Sequence, residues 1–205
     1  PRLLIGADGP HSKVGQAIGS CNTALVETRQ MTVPLLQPHD GTDIFLRADI
    51  VGGYGWLFPK GDVANLGLGV TPEARSRLKP LLAELHLSLA DQGRVGRTAL
   101  KYTGGAIPVG GMIRCVGELQ GLPVLLVGDA AGLTNPITGA GIPAAVQSGI
   151  MAASAARAGN LPGGPGGPVS GLLGARLSAA RGITGPIWAV QTARCGGIAP
   201  GLDCL

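Results

Sequence analysis

Leu125-Leu126-Val127-Gly128-Asp129-Ala130-Ala131-Gly132, continued by Asn135-Pro136-Ile137-Thr138-Gly139-Ala140-Gly141-Ile142, is the stretch on which the fold turns. Leu122 to Val127 is the most apolar short run in the chain and reads as a buried strand. Gly128 and Asp129 then fall at its carboxyl end, where α/β sheets bind ligands. Ala130, Ala131 and Gly132 carry little side chain, so a ligand can approach the backbone there. The Asp129 carboxylate can accept hydrogen bonds from a polyol. A loop through Pro136 and Thr138 leads to Gly139, Ala140 and Gly141, which open a helix expected to run to about Arg157. The free N–H groups at that amino end suit an anionic edge.

Upstream, Arg2 to Ile5 is a second short apolar strand, ended by the turn Gly6-Ala7-Asp8-Gly9-Pro10. Ser12 is placed to cap a short helix reaching Ile18. Strands are expected at Ala24–Val33, Asp43–Asp49, Tyr54–Phe58 and Val63–Val70, the last two joined by a turn at Pro59–Asp62. Thr71 and Pro72 should start a helix to about Gln92, kinked at Pro80, with Leu78, Leu81, Leu82, Leu85 and Leu89 on one face. Gly104 to Gly111 reads as irregular. The apolar stretch from Gly139 to Ala156 holds Pro143, Gln147 and Ser148, so it reads as a buried helix and not a membrane span. Nine of the thirteen residues from Gly159 to Gly171 are Gly or Pro, a linker composition.

Tyr54, Trp56 and Phe58 project from one face of their strand, so half of the six aromatics in the chain share that face. Such a stripe is either a core-facing one or an apolar wall for a bulky hydrophobic ligand.

Composition bounds the rest. Hydrophobic residues make 45% and charged residues 14%, enough for a packed core. The net charge of +4 is scattered and not interleaved with aromatics, which speaks against a nucleic-acid partner. Cys21, Cys115, Cys195 and Cys204 form no CxxC pair, and no zinc spacing appears with His11, His39 and His86, so no metal is expected. Free thiols point to the cytoplasm.

The Gly128–Ile142 string resembles the second FAD-binding motif of the flavoprotein family that includes para-hydroxybenzoate hydroxylase and the geranylgeranyl reductases. The turn at Asp8 and Gly9 is similar to the short Asp-Gly motif of that family. Tyr54-x-Trp56-x-Phe58-Pro59, followed by Gly67-x-Gly69, resembles the signature of the geranylgeranyl reductase branch, and Gly104–Gly110 resembles the piece preceding its second FAD motif. The matching motifs span roughly Pro1 to Ala156.

The resemblance implies an α/β fold: a partial FAD-binding Rossmann-like domain (residues 1–23 and 104–158) with an inserted, mainly antiparallel substrate domain (24–103), followed by an atypical tail (159–205). It implies FAD contacts at Asp8, Gly9, Gly128, Asp129, Ala130, Pro136, Thr138, Gly139, Ala140, Gly141 and Ile142. Substrate contacts would come from Tyr54, Trp56, Phe58, Pro59, Gly67 and Gly69. The implied reaction saturates C=C bonds of geranylgeranyl or prenyl chains, on a prenyl-chain lipid or a prenyl diphosphate, with NADPH or reduced ferredoxin as donor and peripheral membrane contact. No proton donor is assigned, though Tyr54 has a hydroxyl in the right motif. Rival readings are an FAD-dependent aromatic monooxygenase and an inactive fragment of either enzyme. The family opens on a Gly-x-Gly-x-x-Gly turn that this sequence lacks. That turn is expected upstream of Pro1, in a truncated or frameshifted reading frame.

Overall fold

The computed structural model describes residues 1–158; the tail expected at 159–205 lies outside them. Two sheets form. The smaller joins β1 (Leu4–Gly6), β8 (Leu122–Leu126) and β7 (Val116–Leu119) in the order β1-β8-β7. β1 runs parallel to β8, with Leu4 opposite Val124 and Gly6 opposite Leu126. Parallel strands need cover on both faces, and the uninterrupted apolar run of β8 meets that need. Val124 and Leu126 pack with Ile18 and Ala131 on one face, while Leu125 packs with Val127 and Ala152 on the other.

The larger sheet is antiparallel, in the order β3-β4-β5-β2-β6. Its strands are β2 (Leu25–Pro34), β3 (Asp43–Phe45), β4 (Gly55–Lys60), β5 (Val63–Val70) and β6 (Lys101–Pro108). In β5 the residues Leu66, Leu68 and Val70 alternate onto one face and meet Leu78, Leu81, Leu82, Leu85 and Leu89 of α2 (Leu78–Asp91). That cluster is the main core. Lys60 pairs with Val63, so the hairpin loop is Gly61-Asp62, tighter than expected, and Gly61 takes φ +64° at its first position.

Four expectations change. Residues 104–108 are not irregular: they form the second half of β6, with Gly104 opposite Arg29 and Pro108 opposite Leu25. A Cβ on Gly104 would sit 2.6 Å from the Thr28 carbonyl oxygen, so this strand uses glycine for close approach. Pro72–Arg77 is a 3-10 turn, and α2 begins only at Leu78. Thr71 makes no side-chain cap bond, and Pro80 falls in the first turn of α2, where its missing N–H leaves no bond broken and causes no kink. β3 stops at Phe45, shorter than expected. The fourth concerns α3 (Ile142–Ala158). Its Ser148 and Ala152 are buried, but Ile142, Val146 and Ile150 are exposed, so this helix is one-sided and not fully buried. No helix among the described residues is long and apolar enough to cross a membrane.

Candidate functional site

Three segments far apart in sequence converge. The first is the turn after β1. Asp8 lies at the amino end of α1 (Lys13–Ala17), where its carboxylate accepts from the Ser12 hydroxyl at 2.5 Å, the Lys13 amide at 2.7 Å and the Val14 amide at 3.3 Å. Burial alone would raise its pKa. The hydrogen bonds from Ser12, Val14 and Lys13 outweigh it and hold the carboxyl below its usual range. Ser12 in turn caps α1 by accepting from the Gly15 amide at 2.8 Å, as expected. The carboxylate of Asp8 is thus engaged in shaping the turn. Gly9 adopts φ +83° with open space around it.

The second is the turn after β8. Gly128, at φ +54°, starts a 3-10 turn over Gly128–Ala131 that ends on Gly132 at φ +70°. Its amide donates to the buried Ser148 hydroxyl of α3 at 3.0 Å. Ala130 and Ala131 are buried in the core of the smaller sheet. Gly128 and Ala130, expected to contact the cofactor, are both buried in this turn. Asp129 does face outward. One carboxylate oxygen accepts from Thr134 at 3.0 Å, which orients it. Asn22 joins the two turns, donating to the carbonyls of Pro10 at 3.0 Å and Asp129 at 2.9 Å.

The third is the loop into α3. The Asn135 side chain accepts from the amides of Ile137 at 2.9 Å and Thr138 at 3.0 Å, and its own amide donates to the Ala140 carbonyl. Pro136 sits within this bend, half-buried. Gly139, at φ +65°, is bare: an added Cβ would find only Ile107 and the Tyr54 hydroxyl, each 3.7 Å away. Gly141 lies tight against the site, since a Cβ there would come 3.0 Å from an Asp129 carboxylate oxygen. Among the described residues the amides of Gly141 and Ile142 have no acceptor, and Ile142 is 79% exposed. A side-chain-free shelf with two unpaired amides at a helix amino end fits the N1–C2=O edge of a flavin. The neighbouring Asp129 fits a ribityl hydroxyl.

The aromatic stripe meets this loop. Leu57 and Gly55 point into the core, so Tyr54, Trp56 and Phe58 take the opposite, partly exposed face of the larger sheet. The stripe therefore does not face the core. Tyr54 and Trp56 meet edge to face at 5.9 Å, and Trp56 stacks on Phe58 at 5.8 Å. Gly67, opposite Trp56, makes the seat: a Cβ there would fall 2.4 Å from the indole. The indole N–H donates to Gln30 at 3.0 Å. Gly69 makes room for Val26, whose Cγ1 would lie 2.7 Å from an added Cβ, and is not itself a contact surface. Pro59 continues the strand, half-buried beside Phe58.

The Tyr54 hydroxyl donates to the Thr138 carbonyl at 2.5 Å and so ties the aromatic face to the loop. Burial pushes its pKa above the ordinary value. A hydroxyl already donating, and made less acidic, is suited to positioning the loop and not to giving up a proton.

Asn22, Thr134 and Gln30 carry no signal in the sequence, because each acts through a hydrogen bond that the folded turn or the tertiary pairing supplies. Asn135 lies in the quoted string, but its bonds to the amides of Ile137 and Thr138 follow from the turn and not from that string.

No family model matches the chain. Digeranylgeranylglycerophospholipid reductase 2 of Methanosphaera stadtmanae is 34% identical over 158 residues, which cover 74% of this chain and 39% of that protein. The digeranylgeranylglycerophospholipid reductase of Methanocella arvoryzae is 36% identical over 162 residues, covering 74% and 39%. This chain spans about two-fifths of the length of these curated relatives. The crystal structure of a geranylgeranyl bacteriochlorophyll reductase-like protein from Thermoplasma acidophilum aligns at TM-score 0.68 and 26% identity, over 88% of this chain and 46% of that one. A flavin-dependent brominase aligns at TM-score 0.53 and 16% identity over 75% of this chain and 42% of its own, a likeness of fold alone. The chain belongs to the geranylgeranyl reductase family of FAD-dependent flavoproteins.

Proposed function

We propose that this chain carries the isoalloxazine- and ribityl-facing part of a reductase that saturates C=C bonds in geranylgeranyl chains of isoprenoid lipids. The observation that carries the reading is the orientation of the aromatic stripe. Tyr54, Trp56 and Phe58 turn away from the core, and Tyr54, at one end of the stripe, meets the loop of the Gly139 shelf. A flavin on that shelf would lie beside the apolar wall that begins at Tyr54.

The roles of the protein follow. Asp129, oriented by Thr134, would hold the ribityl chain, and the amides of Gly141 and Ile142 would hold the pyrimidine edge. Asp8 supports the phosphate region through the turn it shapes. Trp56 and Phe58 orient the prenyl chain and exclude water. When bound, the flavin supplies the hydride equivalent, drawn from NADPH or reduced ferredoxin. The relatives' names include a digeranylgeranylglycerophospholipid, and a prenyl-chain lipid of that kind or a prenyl diphosphate is the substrate class proposed here. Such a substrate places the work at a membrane surface.

The test is product analysis by mass spectrometry, with the protein, reduced flavin and a geranylgeranyl lipid. The expected product gains two hydrogens per reduced double bond. An oxygenated product would overturn the reading in favour of a monooxygenase.

Tyr54→Phe in the same assay separates positioning from acid catalysis. Losing one hydrogen bond to a partly exposed carbonyl should lower turnover by less than about tenfold. Loss of a general acid would cost about 100-fold or more.

A further inference from the structure

The larger sheet bears a cavity on the face turned away from the aromatic stripe. Glu27 and Arg29 of β2, Arg75 and Ser76 of the 3-10 turn, Lys79 of α2 and Tyr102 of β6 line a cavity of about 950 Å³. A recess of about 300 Å³ shares Arg29, Lys79 and Tyr102 with it and is floored by Met31, Leu82 and Ala83. The fold leaves this space because α2 packs across β5 and β2, while residues 101–105 of β6 stay exposed beyond it.

The charge in this cavity is unbalanced. Arg75 lies 3.8 Å from Glu27, which accounts for one cation. Two others remain. Among the described residues, neither Arg29 nor Lys79 has an ion-pair or hydrogen-bond partner for its side-chain charge. Arg29 is only half exposed, and its guanidinium sits 5.6 Å from the centre of the Tyr102 ring. A partly desolvated guanidinium without a carboxylate is uncommon, and the ring holds it with its donors free. A planar fork, a compact ammonium and the Ser76 hydroxyl around one open volume make a donor set for phosphate oxygens. Immediately below lies an apolar floor.

We propose that this cavity binds the phosphate group of a phosphorylated amphiphile. The phosphate sits between Arg29 and Lys79, and the first apolar atoms rest on Tyr102, Met31 and Leu82. The site lies across the sheet from Tyr54, Trp56 and Phe58, so it is separate from the flavin-facing site and does not depend on how that site is read. A phospholipid headgroup in a membrane and a free prenyl phosphate share this chemistry.

The test uses this chain with two probes: inorganic diphosphate in calorimetric titration, and phosphatidylglycerol vesicles in co-sedimentation. Arg29→Gln combined with Lys79→Gln should weaken diphosphate binding about tenfold or more, and Arg29→Lys should recover part of it. Arg97→Gln, which removes a cation paired with Asp91 at the far end of α2, should bind as the parent does. All variants should melt like the parent, since these side chains lie outside the core. Vesicle sedimentation reversed by diphosphate would identify a membrane headgroup as the source. Diphosphate binding without sedimentation would identify a free phosphorylated ligand. Diphosphate binding that is absent, or equally tight in the Arg29→Gln/Lys79→Gln variant, overturns the proposal.

Discussion

Gly132→Ala should lower the melting temperature by roughly 10 °C, reflecting a loss of about 3 kcal/mol. Two effects add. Gly132 sits at φ +70°, which costs a residue with a Cβ about 1–2 kcal/mol. The added carbon would also fall 2.4 Å from the Gly111 carbonyl oxygen and 2.8 Å from the Asn22 side-chain oxygen. Neither can retreat freely. Asn22 is held by its bonds to Pro10 and Asp129, and the Gly111 oxygen is backbone. Gly9→Ala is the control. It has a similar backbone strain at φ +83° but nothing within 4 Å, so it should lose only about 1 kcal/mol. Thermal melts of both variants, followed by circular dichroism, separate the steric cost from the conformational one. Equal losses would show that the Asn22–Gly111 junction yields, and that the turns around Asp8 and Asp129 are not rigidly joined.

Gly67→Val should have the largest effect on function. Its Cβ would overlap the Trp56 indole at 2.4–2.8 Å, so the ring must leave the sheet face and give up its bond to Gln30. The core lies on the other face, where Leu66 and Leu68 are untouched, so overpacking should cost about 1–3 kcal/mol without unfolding the chain. Prenyl turnover should fall more than about tenfold, because the apolar wall is broken at its middle. Adding Trp56→Ala should restore stability, since the clash partner is gone, but not turnover. Near-ultraviolet circular dichroism reports the loss of the Trp56–Phe58 stack. Unchanged turnover in Gly67→Val would remove the aromatic face from the substrate site.

Much of this architecture is legible in the sequence where one residue class acts locally. The apolar run of β8, the glycines after it and the Ser12 cap each declare themselves within a few residues. The period-2 stripe Tyr54-Trp56-Phe58 is equally plain. Spacing alone is symmetric, however, and cannot tell which face meets the core. That choice is made by Leu57 and Gly55 against α2, a tertiary fact. β6 was hidden for a related reason. Its Gly104 and Gly105 lower strand propensity, and the close approach to Thr28 that calls for Gly104 exists only once β2 is paired. Ala130 shows the converse ambiguity. A small residue beside a ligand-binding turn looks like a gap for the ligand, but here it fits against Ile18 and Leu126. Asn22 and Ser148 stabilise the turns over sequence separations of 107 and 20 residues, beyond the reach of any local pattern.

On the proposed function, the isoalloxazine and ribityl portion of the flavin binds to this chain and its adenine end does not. Titration with riboflavin, read as quenching of Trp56 fluorescence in a Trp188→Phe background, tests it directly. The expected result is saturable quenching by riboflavin, FAD affinity within about tenfold of riboflavin affinity, no competition by ADP, and loss of quenching in Asp129→Ala. FAD binding that ADP displaces, with no response to riboflavin, would contradict it.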